Sequence, residues 1–336
     1  MRDKLNQMFE SLGAGPAVYQ PSKFWQQLNE KNVSQLESTG LQNVKRTLAQ
    51  NYFTWVVGMR SPLFRRLASL TRLPDWIGIL RSLPAYTSEF GLGVRRFYEL
   101  QIFTRMIWLI AKERDSGQLL RNIEEPVFGN PFRITFQDRL ISQDLANSMM
   151  EFYAVTQASP PKESDSFTVC ELGAGYGRNA YFFLKARPLC TYIIVDIPPA
   201  LYVSQEYLAR VLPERRVMRF RPFDDFSEIQ EDFDRSDIVF LLPHQAEKLR
   251  TKSIDFFVNI SSFHEMTFVQ IDKYFDLIDR ITRGYFYTKQ WHSFSNVRDD
   301  ITIAEEDYPY RAGWEQIYSR TPDSHPQFFE ALYRVS

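Results

Sequence analysis

The run Val169-Cys170-Glu171-Leu172-Gly173-Ala174-Gly175-Tyr176-Gly177-Arg178 is where this 336-residue chain concentrates its chemistry. Three glycines at alternate positions follow an apolar, strand-like run and precede a helix-like one, so a ligand can lie close against the backbone. The helix start beyond them offers N–H groups that have no helical partner. A dinucleotide fingerprint, G-x-G-x-x-G, would need a third glycine at 178, where Arg178 stands. Glu171, two residues ahead of Gly173, would repel a pyrophosphate and suits an ammonium or sulfonium group instead.

Asp196 ends the apolar run Tyr192-Ile193-Ile194-Val195, where a carboxylate can accept from both hydroxyls of a ribose; Ile197 follows it. Further on, His244 and Gln245 follow a third apolar run, and the Gln245 amide is suited to an adenine amine. The segment Asn259–Met266 contains Ser261-Ser262-Phe263-His264-Glu265. His264 has the intrinsic basicity to accept a proton near neutral pH, with Glu265 to orient it or touch substrate. Lys289 and His292 are second choices for the same work, and Tyr176, Tyr285 and Trp291 are candidates to wall an acceptor pocket. Asp224 and Asp225 are adjacent acids but read as solvated surface, so no metal is expected.

These residues must be held by elements, and the chain alternates strand and helix where they occur. Strands are expected over Phe167–Leu172, Thr191–Ile197, Ile238–Leu242, Ile254–Ile260 and Gly284–Trp291, then Glu315–Arg320 and Phe328–Val335 as a terminal pair. Helices are expected over Ser142–Ala154, Arg178–Ala186, Pro199–Val211 and Phe268–Thr282. Pro213–Asp237 is too long for a standard connection and reads as an insertion. Val44–Val57 and Val94–Ala111 have helical spacing, and prolines punctuate the segments between them. The expected organisation is a mainly helical region over residues 1–120 followed by an α/β domain over 121–336. That domain should carry an open, mostly parallel sheet with helices on both faces.

Composition narrows the function classes. Forty basic against 41 acidic residues leave a formal charge of -1, which disfavours nucleic acid as the main partner. Cys170 and Cys190 give neither a disulfide framework nor zinc-ligand spacing. No leader-like or membrane-spanning apolar run occurs, because Arg105 breaks the best stretch. A cytoplasmic protein without membrane contact is expected, and nothing in the composition sets its oligomeric state.

The order E-L-G-x-G-x-G, then V-D, then a loop after the third strand resembles the class I S-adenosylmethionine-dependent methyltransferases, whose fold is a Rossmann-like, mostly parallel seven-stranded sheet. More narrowly, E-L-G-A-G-Y-G-R, I-V-D-I-P-P-A-L, F-L-L-P-H-Q, N-I-S-S-F-H-E-M and Y-F-Y-T-K-Q-W are similar to a bacterial family described as sugar O-methyltransferases. The similarity runs from about residue 124 onward. It implies S-adenosylmethionine as cofactor, held by Glu171, Gly173, Gly175, Tyr176, Gly177, Asp196, Ile197, His244, Gln245 and Asn259. It also implies a small-molecule or glycan acceptor near His264 and Glu265. The alternatives are an NAD-dependent oxidoreductase and a non-catalytic protein that keeps the cofactor fold.

Overall fold

The computed structural model describes residues 1–46 and 54–336. The first part of the chain supplies helices α1 (Arg2–Ala14), α2 (Lys23–Thr39), α3 (Pro62–Leu70), α4 (Leu73–Arg81) and α5 (Val94–Arg114). Ser22 and Ser61 cap α2 and α3 by accepting from Trp25 and Phe64 N–H, and Pro62 sits in the first turn of α3 where no N–H is needed. The helix expected over Val44–Val57 starts at residue 44 and lies in part outside the described residues; residues 54–57 are not helical. A hairpin that the alternation did not reveal, β1 (Ile134–Phe136) and β2 (Arg139–Ile141), turns through Gln137 and Asp138, both at positive φ.

The remaining elements are α6 (Gln143–Thr156), β3 (Phe167–Leu172), α7 (Arg178–Ala186), β4 (Cys190–Val195), α8 (Ala200–Val211), β5 (Val217–Met218), α9 (Gln230–Arg235), β6 (Ile238–Leu241), α10 (Pro243–Ala246), β7 (Ile254–Ile260), α11 (Phe268–Ile281), β8 (Thr282–Trp291), a second hairpin of β9 (Ser293–Asn296) and β10 (Ile301–Ala304), β11 (Glu315–Arg320) and β12 (Phe328–Arg334). Among the described residues eight strands form one sheet, in the order β11-β12-β8-β7-β3-β4-β6-β5. Only β12 runs against the others, because it pairs antiparallel with both β8 and β11 while the remaining pairings are parallel. The expected seven strands become eight because the Pro213–Asp237 insertion adds β5 at the edge, pairing Val217 and Met218 with Ile238 and Val239.

Both faces of the sheet are covered. Tyr192, Ile194, Ile238, Phe240, Val258 and Leu332 pack into one core cluster, while Ile193, Val195, Val239, Leu241, Phe257 and Ala331 pack into the other. Neighbours in sequence fall on opposite faces, as the two-residue period of a strand requires. Full burial of each large side chain contributes roughly 1.5–3 kcal/mol. Helix α6 lies on α7 through Phe152, whose ring is 4.9 Å from Phe183 and 5.8 Å from Phe182.

Strand β3 has β4 on one side and β7 on the other, and the chain leaves it toward α7 before returning on β4. The strand order reverses at that point, which leaves a crevice beyond the carboxyl ends of the strands. Among the described residues no helix is long and apolar enough to cross a membrane.

Candidate active site

The crevice is an open cleft. Its floor is Leu172, Gly173 and Gly175 after β3; Asp196 and Ile197 after β4, with Ala200 of α8, form one side. Pro243, Ser261, Ser262, Glu265 and Met266 come from the loops after β6 and β7, and Gln270 and Tyr274 come from α11. Tyr19, Gln20, Pro21, Ser22 and Trp25 close the remaining side.

The glycines follow from local geometry. Gly173, Gly175 and Gly177 have φ of 77°, 60° and 89°, a region that costs a side chain strain. A Cβ on Gly173 would also stand 2.4 Å from Ser262 Oγ, so the loops after β3 and β7 touch there. Gly175 N–H donates to Asp196 Oδ2 at 2.9 Å, and Ile197 N–H donates to Oδ1 at 2.8 Å. The Asp196 carboxyl therefore sits at the cleft with its orientation fixed. Burial outweighs those two bonds and raises it from 3.8 to about 7.

Glu265 also lines the cleft, with its side chain 13 % exposed. Burial pushes its carboxyl well above the ordinary range; the Trp25 side chain bonds to it, and the charge of Asp196 raises it further. Among the described residues the lining holds these two carboxylates and no lysine, arginine or histidine.

Several expected site residues lie elsewhere. Glu171 does not line the cleft: Asn179 Nδ2 and Tyr192 OH donate to its carboxylate at 3.0 and 2.8 Å beneath the glycine loop. Strand parity explains the placement, since Cys170 and Leu172 point to one face of the sheet and Glu171 to the other. Tyr176 donates to Asp144 at 2.5 Å and packs on Tyr207, away from the cleft. Gly177 caps α7, with the space for a Cβ filled by Leu208.

Beyond β6 it is Pro243 that reaches the cleft. Gln245 is turned inward, accepting from Leu242 N–H and donating to Arg221 O, and His244 packs on Gly15 beside a neighbouring groove. Asn259 donates to Leu172 O at 2.9 Å and accepts from Gln290, so it braces the strands and does not reach the cleft.

His264 lies behind the cleft wall, 3 % exposed, with its ring 4.4 Å from Phe294 and its Nε2 3.6 Å from Glu265 Oε1. Burial lowers its pKa to about 4, so it is neutral near pH 7. Lys289 pairs with Glu151 at 3.0 Å and His292 with Glu305 at 2.8 Å, both away from the cleft, as are Tyr285 and Trp291. Asp225 accepts from Ser227 N–H in a local turn, and among the described residues no three potential metal ligands converge.

The N-terminal wall carries no motif, and the contacts that dock it are long-range. Ser22 Oγ donates to Glu265 O at 2.8 Å, Gln270 Nε2 donates to Gln20 O at 2.8 Å, and Tyr19 OH bonds to Glu247. Asp299, from the turn between β9 and β10, accepts from Lys23 and Phe24 N–H at the start of α2. Pro21 and Ser22 ahead of a polar-apolar run are the one sequence signal that could have marked the start of α2.

No family model matches the chain, and no curated protein matches it. Solved structures similar to it include a SAM-dependent methyltransferase from Leishmania major, 15 % identical, aligned over 56 % of this chain and 72 % of its own with a TM-score of 0.39. Another is a geranyl diphosphate C-methyltransferase from Streptomyces coelicolor A3(2), 11 % identical, aligned over 58 % and 82 % with a TM-score of 0.41. A third is a glycopeptide N-methyltransferase, 14 % identical, aligned over 55 % and 89 % with a TM-score of 0.38.

Proposed function

We propose that the chain is an S-adenosylmethionine-dependent O-methyltransferase acting on a hydroxyl of a sugar or glycan precursor. The observation that carries the cofactor is the charge of the cleft. A glycine-floored crevice at the strand-order reversal has Asp196 and Glu265 and, among the described residues, no cation in its lining, so a sulfonium or ammonium there favours the ionised acids while a pyrophosphate finds no positive partner. S-adenosylmethionine is a nucleoside of that charge: it carries a sulfonium and an ammonium against one carboxylate, and when bound it supplies an activated methyl group.

The residues present fit it. Asp196 is placed to accept from ribose hydroxyls, Ile197 and Pro243 offer apolar surface to a purine, and Gly173 and Gly175 leave room for close approach. Ser261 and Ser262, which share the lining with the rings of Trp25 and Tyr274, suit a polyhydroxylated acceptor. The resemblance to sugar O-methyltransferases supports the same acceptor class. An alcohol must lose its proton, and Glu265, whose proton affinity burial raises as it does that of Asp196, takes it in its ionised form. His264, set behind it, acts through it.

Isothermal titration tests the reading. Heat is expected with S-adenosylmethionine and with S-adenosylhomocysteine, and none with NAD. Binding of NAD alone would replace this reading with that of an oxidoreductase.

A further inference from the structure

We propose that Gln290 is a positioning residue: it holds the His264 ring with hydrogen on Nδ1 and a bare Nε2 aimed at Glu265, so the proton Glu265 takes from the acceptor is shared with His264. The inference rests on the function proposed above for its chemical step, and on hydrogen bonds alone for its geometry.

The chain of bonds starts at β3. Leu172 O is an acceptor, so the Asn259 atom 2.9 Å from it is the amide nitrogen, and Asn259 Oδ1 faces the other way. Gln290, fully buried on β8, meets that oxygen at 2.6 Å, with Asn259 O at 3.3 Å and Thr288 Oγ1 at 3.2 Å from the same atom. Two of those three atoms can only accept, so Gln290 must present its nitrogen to them. Its oxygen is left for His264 Nδ1, 3.3 Å away. An amide oxygen cannot donate, so Nδ1 carries the hydrogen, and a neutral imidazole has only one.

The remaining nitrogen, Nε2, lies 3.6 Å from Glu265 Oε1. That gap is slightly longer than a hydrogen bond and closes with a small turn of the Glu265 side chain. A lone pair facing a carboxylate is repulsive, and the same lone pair facing a carboxylic acid is attractive. The tautomer thus makes Glu265 a stronger base than burial alone would. When the acceptor O–H bond breaks, its electron pair stays on oxygen, and the proton moves to Glu265 Oε1 with Nε2 as the second acceptor. Other groups face this pair: the Trp25 side chain from α2 and Asp196 after β4 on Glu265, and Trp291 and Phe294 on the His264 ring.

The test uses the full chain labelled with ¹⁵N-histidine and ¹³C-carboxyl glutamate, without cofactor. His264 is expected to show a protonated Nδ1 and a bare Nε2 near neutral pH in the wild type. In Gln290→Met the two tautomers are expected to mix. In His264→Phe the Glu265 carboxyl is expected to titrate about one pH unit lower, Asp196 still acting on it.

With S-adenosylmethionine and an acceptor supplied, Gln290→Met is expected to lower kcat about tenfold with KM for the cofactor unchanged, and His264→Phe to move the acidic limb of kcat/KM down with the carboxyl. A wild-type ring protonated on Nε2, or a Glu265 titration indifferent to His264, overturns the proposal even if every variant folds poorly, because the first is read on the unaltered protein. The expected tautomer in a protein that binds no S-adenosylmethionine upholds the hydrogen-bond chain and removes the function proposed for the cleft.

Discussion

Asp196 couples ligand affinity to pH in a direction its surroundings decide. Its carboxyl is raised from 3.8 to about 7 by burial, against two backbone N–H donors. A group raised in the folded chain stabilises the ligand-free fold fully below its unfolded pKa, and that contribution is lost as pH rises through the folded value. Ribose hydroxyls and a sulfonium both favour the ionised form, so affinity follows the opposite course. S-adenosylhomocysteine, which keeps the ribose, is expected to bind up to tenfold more weakly for each pH unit below about pH 7 and with constant affinity above it, in titrations from about pH 5.5 to about pH 8.5. Affinity independent of pH across that range would mean that Asp196 does not hold the ligand. This acid was legible because it ends an apolar run that can only be a buried strand. The proposed base was less so: His264 has the more familiar chemistry, but the turn Phe263–Glu265 after Ser261, itself at φ 52°, rotates Glu265 into the cleft and His264 behind it. One-dimensional spacing carries no record of that rotation.

At the scale of elements, the loops after β3 and β7 are fitted to each other. Gly173 presses on Ser262, with only 2.4 Å between Oγ and the place a Cβ would occupy. Gly173→Ala is expected to lower stability by about 1–3 kcal/mol, through both the collision and the positive φ. Adding Ser262→Gly removes the colliding atoms and is expected to restore part of the loss, leaving the backbone strain. Urea denaturation of the single and double variants measures the difference, and strict additivity would show that the two loops do not press on each other. The strands flanking these loops were readable because Phe167–Leu172 and Ile254–Ile260 are apolar runs of strand length with turn signals around them. The edge strand β5 was not, because Val217 and Met218 are too short a pair to show a period. Glu171 could have been placed by parity from Cys170 and Leu172, a signal present in the sequence and outweighed by the motif around it.

Across the whole molecule, one buried carboxylate joins parts that are far apart in the chain. Glu151 on α6 bonds Arg178 at the start of α7 and Lys289 on β8, and all three are buried. The two cations outweigh burial and lower its carboxyl from 4.5 to about 2. A depressed carboxyl stabilises the fold above its unfolded pKa and loses that contribution as pH falls through the folded value. Glu151→Gln strands two buried cations and is expected to cost about 3–5 kcal/mol at neutral pH, with a smaller difference from the wild type near about pH 3. Denaturation at the two pH values decides it, and an equal difference at both would assign the loss to packing.

The wall formed by Tyr19–Trp25 has a consequence for how the protein is made. During synthesis those residues leave the ribosome well before Glu247, Glu265, Gln270 and Asp299, the groups that dock them. Residues 19–25 must therefore stay undocked until Gln270 and Asp299 have emerged, so this wall of the cleft is completed only after the strands that position the glycine loop have been made.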